Sequence, residues 1–156
     1  MISTRQATAE DIGALRPLME EWIAECNPDG LKFAPVADRL LQSFETMRVH
    51  PAGTTLVMLA EDQVIGCLGL VRHGWGACKT ENFASENLWY VKTSHAGYSA
   101  HLVNAAKRWA ASKGCDYLVF STNRLSSERA GRGEEFLAAV GFKPLYRLHI
   151  AEVNHV

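Results

Sequence analysis

Apolar residues near the start of the chain recur at helical spacing. Between residues 12 and 23 they lie three or four positions apart or side by side: Ile12, Leu15, Leu18, Met19, Trp22 and Ile23. This spacing predicts a helix with one buried face. Thr8 followed three residues later by Asp11 is typical of a helix N-terminus, so the helix is expected to begin there. Pro17 lacks a backbone N–H donor and is expected to kink this helix.

A strand is expected before this helix and a second helix after it. We interpret residues 2–7 as a short strand and Asn27–Gly30, which is rich in turn-forming residues, as a turn. Pro35 suits the first turn of the second helix. The apolar stripe of that helix consists of Leu40, Leu41, Phe44 and Met47.

After residue 53 the pattern changes from a helical to a β-type period. Two β-rich runs, residues 55–60 and 64–71, are joined by the short acidic segment 61–63, and they predict an antiparallel hairpin. A glycine-rich connection through residues 74–76 follows. Residues 87–91 then predict a strand, and its nearly continuous apolar character indicates a buried, central position.

The second half of the chain predicts one β-α-β crossover. Apolar positions from Leu102 to Ala110 predict a helix, and residues 117–120 predict a further buried strand, which would run parallel to the strand before the helix. A last helix over residues 134–140 precedes a strand that opens at Phe142. The pattern predicts an α/β (α+β) fold in which helices cover a mixed, mostly antiparallel sheet with one parallel crossover.

The composition is that of one globular domain. A chain of 156 residues with 47% hydrophobic and 21% charged residues can bury a core without a disulfide or a metal, so a single domain over residues 1–156 is expected. Sixteen Lys and Arg against 17 Asp and Glu give a net charge of -1, which argues against nucleic acid or an anionic membrane as the main partner. Neither a signal-peptide core nor a membrane-spanning apolar run is present, and a cytoplasmic location is expected.

Metal and redox motifs are absent from the sequence. Four cysteines lie far apart: Cys26, Cys67, Cys78 and Cys115. They form no CxxC pair and are interpreted as reduced, buried thiols. The six histidines form neither an HxH nor an HxxxH pair, so no metal site is expected. Trp75, between two glycines, is a candidate for an acceptor pocket. The arginines Arg124, Arg129 and Arg132 suit either a solvated loop or contact with an acidic group.

Residues 91–102 have the most chemical content. Here the predicted central strand runs through a turn of small residues into a helix. Small residues let the backbone approach a ligand closely, and a helix N-terminus favours an anion such as pyrophosphate. A tight strand-to-helix turn requires small residues for steric reasons as well, so both interpretations stay open at this point.

The turn Ser94-His95-Ala96-Gly97-Tyr98-Ser99 resembles the Arg/Gln-x-x-Gly-x-Gly/Ala turn of the GNAT N-acetyltransferase superfamily. Residues 96–104 are also similar to the Arg-Gly-Tyr-Gly-x-His-Leu-Met-Asn segment of its histone-acetylating branch. Residues 136–142, an apolar helix that ends in Gly-Phe, resemble the family's closing pattern. The predicted element order agrees over nearly the whole chain. The resemblance implies a GNAT-like sheet with splayed central strands.

The resemblance further implies that acetyl-CoA is the cosubstrate and that backbone amides of the turn hold its pyrophosphate. The residues implied in cofactor binding are Tyr90, Val91, Thr93, Gly97, Tyr98, Ser99, Ala100 and Asn123. Ser94 and Ala96 stand where the family has a basic or amide side chain, and Ser99 replaces the second glycine. Backbone N–H groups do not depend on side-chain identity, and Ser99 can add a hydroxyl donor, so cofactor binding is still expected.

The implied reaction is acetyl transfer to a primary amine, on a small molecule or a protein, by direct attack within a ternary complex. Such a reaction needs a base that removes a proton from the amine. Glu86, at the start of the predicted central strand, is the leading candidate, with Glu81 and His73 as alternatives. A solvated carboxylate at a strand end is the other interpretation of Glu86. A backbone N–H near Val91 is expected to stabilise the oxyanion.

The tyrosine that many relatives use as general acid is missing. Phe136 and Leu137 occupy the positions four or five residues before the Gly-Phe pair. A thiol has a pKa near 8.5, so the thiolate is a tolerable leaving group without that acid. Tyr98, Tyr146 or a water would then supply the proton.

Two alternative functions are retained. The degenerate turn and the missing tyrosine are also consistent with a catalytically weak CoA-binding or regulatory module of the same fold. The hypothesis of a nucleic-acid-binding domain rests only on the arginine cluster, and the near-zero net charge argues against it. Residues 27–34 and 73–85 carry no motif that identifies the acceptor. A homodimer through an exposed edge strand is possible.

Overall fold

The computed structural model describes residues 1–25, 35–74, 81–122 and 132–145. The chain divides into two units, residues 1–24 with 35–121 and residues 25–34 with 122–156. The strands are β1 (Ile2–Gln6), β2 (Gly53–Ala60), β3 (Gln63–Gly74), β4 (Asn82–Val91) and β5 (Tyr117–Val119). The helices are α1 (Ala9–Ala14), α2 (Arg16–Glu25), α3 (Ala37–Val49), a 3-10 turn (Thr93–Tyr98), α4 (Ser99–Ser112) and α5 (Arg132–Ala139).

The strands of the first unit form one mixed sheet in the order β1-β2-β3-β4-β5. The first four strands pair antiparallel, and β4 pairs with β5 in parallel. Parallel neighbours cannot be joined by a tight turn, and α4 supplies the crossover between them. The predicted mixed, mostly antiparallel sheet with one parallel crossover is therefore confirmed.

The predicted first helix is two helices. Asp11 accepts hydrogen bonds from the Thr8 backbone N–H at 2.7 Å and the Thr8 hydroxyl at 2.9 Å, which fixes the start of α1. Arg5 donates to the same carboxylate from β1. The helix breaks at Leu15, and Pro17 is the second residue of α2. N–H groups in the first turn of a helix have no partner within the helix, so a proline there removes no hydrogen bond. The predicted kink is therefore a break between two helices.

Both faces of the sheet are covered by helices. Phe44 and Met47 of α3 pack where Gly69 leaves room on β3, and the Thr55 hydroxyl donates to the Phe44 carbonyl at 2.6 Å. Leu68 and Leu70, which flank Gly69 and point to the other face, are buried in a cluster with the apolar side of α4. The helices thus bury one side each, whereas the central parts of β2 and β3 are buried on both faces.

Two strands differ from the prediction. β4 begins at Asn82, five residues earlier than predicted. The sequence pattern missed these residues because the first half of the strand is mostly polar. β5 was expected to be buried over residues 117–120, but it is only three residues long and Tyr117 is 54% exposed. Its short pairing with β4 leaves Tyr117 little cover.

The second unit contains α5 among the described residues. Leu137 is its buried residue, and Gly141 adopts φ +92°, the left-handed conformation that ends helices. The Phe142 N–H donates to the Leu137 carbonyl at 2.9 Å. The predicted turn at Asn27–Gly30, the connection after Gly74 and most of the strand that opens at Phe142 lie outside the described residues.

None of the helices in the described ranges is long and apolar enough to cross a membrane.

Candidate active site

Glu86 lies in the middle of β4, beside an irregularity in its pairing with β3. Leu70 pairs with Glu86 and Gly69 with Leu88, so Asn87 is an extra residue that bulges the strand. A bulge interrupts the regular alternation of side chains and re-aims them. Accordingly, Asn87 donates to the Ser43 hydroxyl of α3 at 2.8 Å, whereas Glu86 reaches Ser121 beyond β5. The predicted strand-end position of Glu86 is therefore wrong, because β4 begins four residues before it.

The carboxylate of Glu86 is held by Ser121. Its Oε1 accepts hydrogen bonds from the Ser121 backbone N–H at 3.0 Å and from the Ser121 hydroxyl. Burial raises the pKa of Glu86 above its ordinary value, although both Ser121 bonds favour the charged form and oppose the rise. A carboxylate with a raised pKa is a better proton acceptor at neutral pH. Glu86 thus has the properties of a general base.

The parallel strands part at the level of Glu86. The described register of β4 with β5 runs from the pair Phe83–Tyr117 to the pair Ser85–Val119. Beyond that point side chains connect the two strands: Ser121 binds Glu86, and the Trp89 ring lies edge-on against Phe120 with centroids 5.6 Å apart. The carboxyl ends of diverging strands are the usual ligand position in such sheets.

A cleft of about 530 Å³ lies between α3 and the bulged part of β4. Glu86 and Asn87 line it from the strand, and Met47 and Val71 give it an apolar part. The polar lining residues on this side are Arg39, Gln42, Ser43 and Thr46 of α3 and His50, which directly follows the helix. Their spacing of three or four residues places them on one face of the helix. The cleft combines a candidate base with polar groups able to orient an acceptor.

The end of β4 is tied to α2 by one carboxylate. Glu21 Oε1 accepts a hydrogen bond from the buried Tyr90 hydroxyl at 3.0 Å and one from the Thr93 backbone N–H at 3.2 Å. The Lys92 N–H donates to the Ile65 carbonyl at 2.8 Å. Tyr90 and Val91 are both buried, so their side chains pack in the fold while the backbone continues to the turn. This anchoring fixes where the 3-10 turn begins.

The turn itself presents an open surface at Gly97. A side chain built on Gly97 would meet no atom within 4 Å, and its backbone is not in the left-handed region. The Ser99 hydroxyl donates to the Ala96 carbonyl at 2.7 Å, which closes the turn from within. Tyr98 is 45% exposed and lies between the rings of His95 and His101. The turn leaves space beside Gly97 for a ligand.

The N-terminus of α4 directly follows this turn. The first turn of α4 contains no acidic residue, nor does the 3-10 turn. A 14-residue helix carries partial positive charge on its first N–H groups, and this charge favours a phosphate. The start of α4 is therefore compatible with a bound phosphate.

The alternative bases are placed differently. His73 Nε2 lies 2.6 Å from the Ser85 hydroxyl oxygen and Nδ1 lies 3.2 Å from the Gly74 carbonyl oxygen, so both ring nitrogens have partners. Glu81 immediately precedes β4. Neither residue lines the cleft between α3 and β4. The geometry favours Glu86 over both of them.

The other candidate residues are cysteines, tryptophans and residues outside the described ranges. Cys67 is buried, which raises the pKa of its thiol, and Cys115 is a half-buried free thiol. Trp22 and Trp109 are buried in the core. In the described part of the chain no three His, Cys, Asp or Glu side chains are grouped to hold a metal ion. Cys26, Cys78, Trp75, Arg124, Arg129 and Tyr146 lie outside the described residues.

The predicted cofactor residues lie along one stretch of chain. Tyr90, Val91, Thr93, Gly97, Tyr98, Ser99 and Ala100 run from the end of β4 through the turn into α4, and Glu86 precedes them on the same strand. Asn123 lies outside the described residues. Sequence reasoning missed Glu21, Ser121 and Asn87. Only Ser121 had a usable signal, since it follows a strand parallel to β4 at the end where ligands bind.

The fold has known counterparts. The family model of the "Acetyltransferase (GNAT) family" matches residues 16–142. The chain therefore belongs to the GNAT acetyltransferase family. No curated protein sequence matches it.

Solved structures agree over nearly the full length. The aminoglycoside N-acetyltransferase AAC(6')-Iy, in complex with the bisubstrate analogue CoA-S-monomethyl-acetylneamine, superimposes with a TM-score of 0.73 at 17% identity and covers 99% of both chains. The ribosomal-protein-alanine N-acetyltransferase of Brucella melitensis biovar Abortus 2308 gives a TM-score of 0.72 at 13% identity, covering 99% of this chain and 100% of that one. A transcriptional regulator from Bacillus halodurans C-125 gives 0.71 at 16% identity, covering 98% and 100%. These identities confirm the fold alone.

Proposed function

We propose that the protein, as a single domain over residues 1–156, is an acetyl-CoA-dependent N-acetyltransferase that acts on a primary amine. The observation that carries this proposal is Glu86. It is a half-buried carboxylate with a raised pKa, beside a strand bulge and on the wall of a cleft, at the level where the pairing of β4 with β5 ends. A group with these properties is suited to accept a proton near neutral pH.

The cosubstrate is proposed to lie at the turn before α4. The pyrophosphate would be held by backbone N–H groups around Gly97 and at the helix N-terminus. Gly97 offers open space, and no acidic residue of the turn or of the first turn of α4 opposes an anion. The full set of proposed contacts is Tyr90, Val91, Thr93, Gly97, Tyr98, Ser99, Ala100 and Asn123. The AAC(6')-Iy structures in complex with CoA or a CoA bisubstrate analogue support a CoA-type ligand on this fold.

Glu86 is proposed to take a proton from the acceptor ammonium through bound water, because Val91, near which the thioester oxygen would be held, lies five residues or about 16 Å further along β4. The neutral nitrogen then attacks the thioester carbonyl, and the C–N bond forms while the oxygen takes negative charge. A backbone N–H near Val91 stabilises this oxyanion. Collapse of the intermediate breaks the C–S bond and releases CoA thiolate. The nitrogen gives its second proton to water, and the thiolate takes one up from water or from Tyr98 or Tyr146, whose hydroxyl is then reprotonated from solvent. No covalent enzyme intermediate and no metal are required.

The acceptor is an amine of a small molecule or a protein. Structural neighbours include an aminoglycoside acetyltransferase solved with sisomicin and a ribosomal-protein-alanine N-acetyltransferase. At 13% identity these neighbours support the amine class of acceptor and not a particular molecule.

The test is release of CoA thiol from acetyl-CoA, measured with a thiol-reactive dye in the presence of small amines and peptide N-termini. Amine-dependent thiol release, with the acetylated amine identified by mass spectrometry, is the expected result. Acetyl-CoA binding without turnover on any amine would favour the CoA-binding module. Absence of both binding and turnover would contradict the proposal and the alternative together.

A further inference from the structure

The charges on α3 are neutralised with one exception. Asp38 pairs with Arg16 at 2.5 Å, and Glu45 pairs with Arg48 at 2.6 Å. Arg39 has no carboxylate partner among the described residues. Its guanidinium donates a long hydrogen bond to Gln42 Oε1 at 3.5 Å. Arg39 is exposed and lines the cleft that also contains Glu86.

The balance of negative and positive side chains in this cleft does not suit a polycationic acceptor. Among the described residues that line the cleft Glu86 is the one carboxylate, and its Oε1 is already bound by Ser121. Arg39 is a permanent cation, and the other polar groups are hydroxyls, amides and an imidazole. A polycationic acceptor would therefore place cations beside Arg39 with one carboxylate to compensate, and like charges brought together weaken binding.

The hydrogen bond from Asn87 to Ser43 fixes the level at which α3 meets the bulge. Glu86 is adjacent to Asn87 on β4, and its carboxylate is bound by Ser121. Arg39 is four residues earlier on α3. Four residues of helix rise about 6 Å, one turn along the axis. The Arg39 guanidinium is therefore carried one turn along α3 from the point at which the helix is bonded to the bulge.

We propose that this cleft selects acceptors that carry an anionic group, carboxylate or phosphate, and that Arg39 binds this group. The inference rests on the proposed function and names its substrate class. A guanidinium donates two parallel hydrogen bonds to a carboxylate or phosphate, which fixes the orientation of the acceptor as well as its charge preference. The amine is thereby directed toward the bulge, where Glu86 lies.

Matched acceptor pairs test the preference for an anion. ω-Amino acids with three to five carbons are compared with the amides of the same acids, and 2-aminoethyl phosphate is compared with ethanolamine. Within each pair the amine stays in place while the charge is removed. We expect kcat/KM to be at least about tenfold higher for the anionic member, because a charge-assisted hydrogen bond contributes that much binding free energy. The pair with the larger ratio identifies carboxylate or phosphate as the natural group.

Substitutions test whether Arg39 is responsible. Arg39→Ala should lower kcat/KM for the anionic member about tenfold and leave the neutral member unchanged, whereas Arg39→Lys should restore part of the loss. Arg108→Ala is the matched control, because Arg108 is an exposed arginine of α4 outside the cleft. Since Arg39 is also exposed, both variants should keep the wild-type melting temperature.

The outcomes separate this inference from the proposed function. Equal rates for charged and neutral members, a preference for polyamines, or an unchanged preference in Arg39→Ala would each overturn the role of Arg39 while leaving acetyl transfer intact. Absence of turnover with every amine, together with absence of acetyl-CoA binding, would instead overturn the proposed function on which the inference rests.

Discussion

Replacement of Glu86 by glutamine isolates its role as a base. The amide oxygen of glutamine can still accept the hydrogen bond that the Ser121 N–H donates at 3.0 Å to Glu86 Oε1. The side chain keeps its size and loses only its ability to take a proton. Because a neutral amide is cheaper to bury than a carboxylate, the melting temperature should stay equal or rise slightly. Any loss of rate then reports on chemistry and not on folding.

The expected loss follows from the proton that must be removed. Positioned general bases contribute about 100- to 10,000-fold in rate, which raises the barrier by about 3 to 5 kcal/mol when they are removed. We expect kcat of Glu86→Gln to fall within that range in the thiol-release assay, with acetyl-CoA affinity unchanged. Wild-type kcat in Glu86→Gln would refute the assignment.

The pH profile gives a second, independent reading. Burial raises the pKa of Glu86, and only the carboxylate form acts as a base, so kcat should fall as the pH drops through this raised value. The Ser121 hydroxyl favours the charged form and holds the pKa down. Ser121→Ala should therefore move the acidic limb of the profile to higher pH. A limb that stays in place in Ser121→Ala and is retained in Glu86→Gln would show that another group titrates.

Two further predictions concern stability. Hydrogen bonds from Arg5 and Thr8 lower the pKa of Asp11 from 3.8 to about 2, so Asp11 contributes stability above its unfolded pKa that is lost as the pH falls through the folded value. Urea titration should show that Asp11→Asn lowers the unfolding free energy by about 2 kcal/mol at neutral pH, allowing for the exposure of Arg5. The difference from wild type should shrink below about pH 4. A difference independent of pH would contradict this account. A side chain on Gly53 would come within 2.5 Å of the Met47 carbonyl oxygen, so Gly53→Ala should destabilise the protein by about 1 to 3 kcal/mol, whereas the same change at Gly97 should cost little because its surroundings are open.

Most of the fold could be predicted because it follows from the local periodicity of apolar residues. The helical stripe around Leu15 and Met19 and the hairpin of β2 and β3 appear where their patterns place them. The break near Pro17 follows from the missing donor of proline. The start of β4 could not be seen, because Asn82 to Glu86 are mostly polar in sequence. Their pairing with β3, and with β5 at residues 83–85, is long-range and leaves no local pattern.

The candidate site was predictable where it follows the chain and not where it depends on distant contacts. The turn around Gly97 is contiguous with a strand and a helix, and its small residues mark it. Ser121, which binds Glu86, is 35 residues away in sequence, and Glu21, which binds Tyr90, is 69 residues away. The bulge at Asn87 arises from register, which the sequence of one strand does not specify.

The most direct test of the central claim is calorimetric titration with acetyl-CoA of wild type, Gly97→Ala and Gly97→Asp. Both substitutions enter open space, so the three proteins should melt at the same temperature. If the pyrophosphate lies at this turn, wild type and Gly97→Ala should bind in the micromolar range, and the carboxylate of Gly97→Asp should abolish binding by repulsion. Equal binding by all three would place the cosubstrate elsewhere, and no binding by wild type would contradict the acetyltransferase assignment itself.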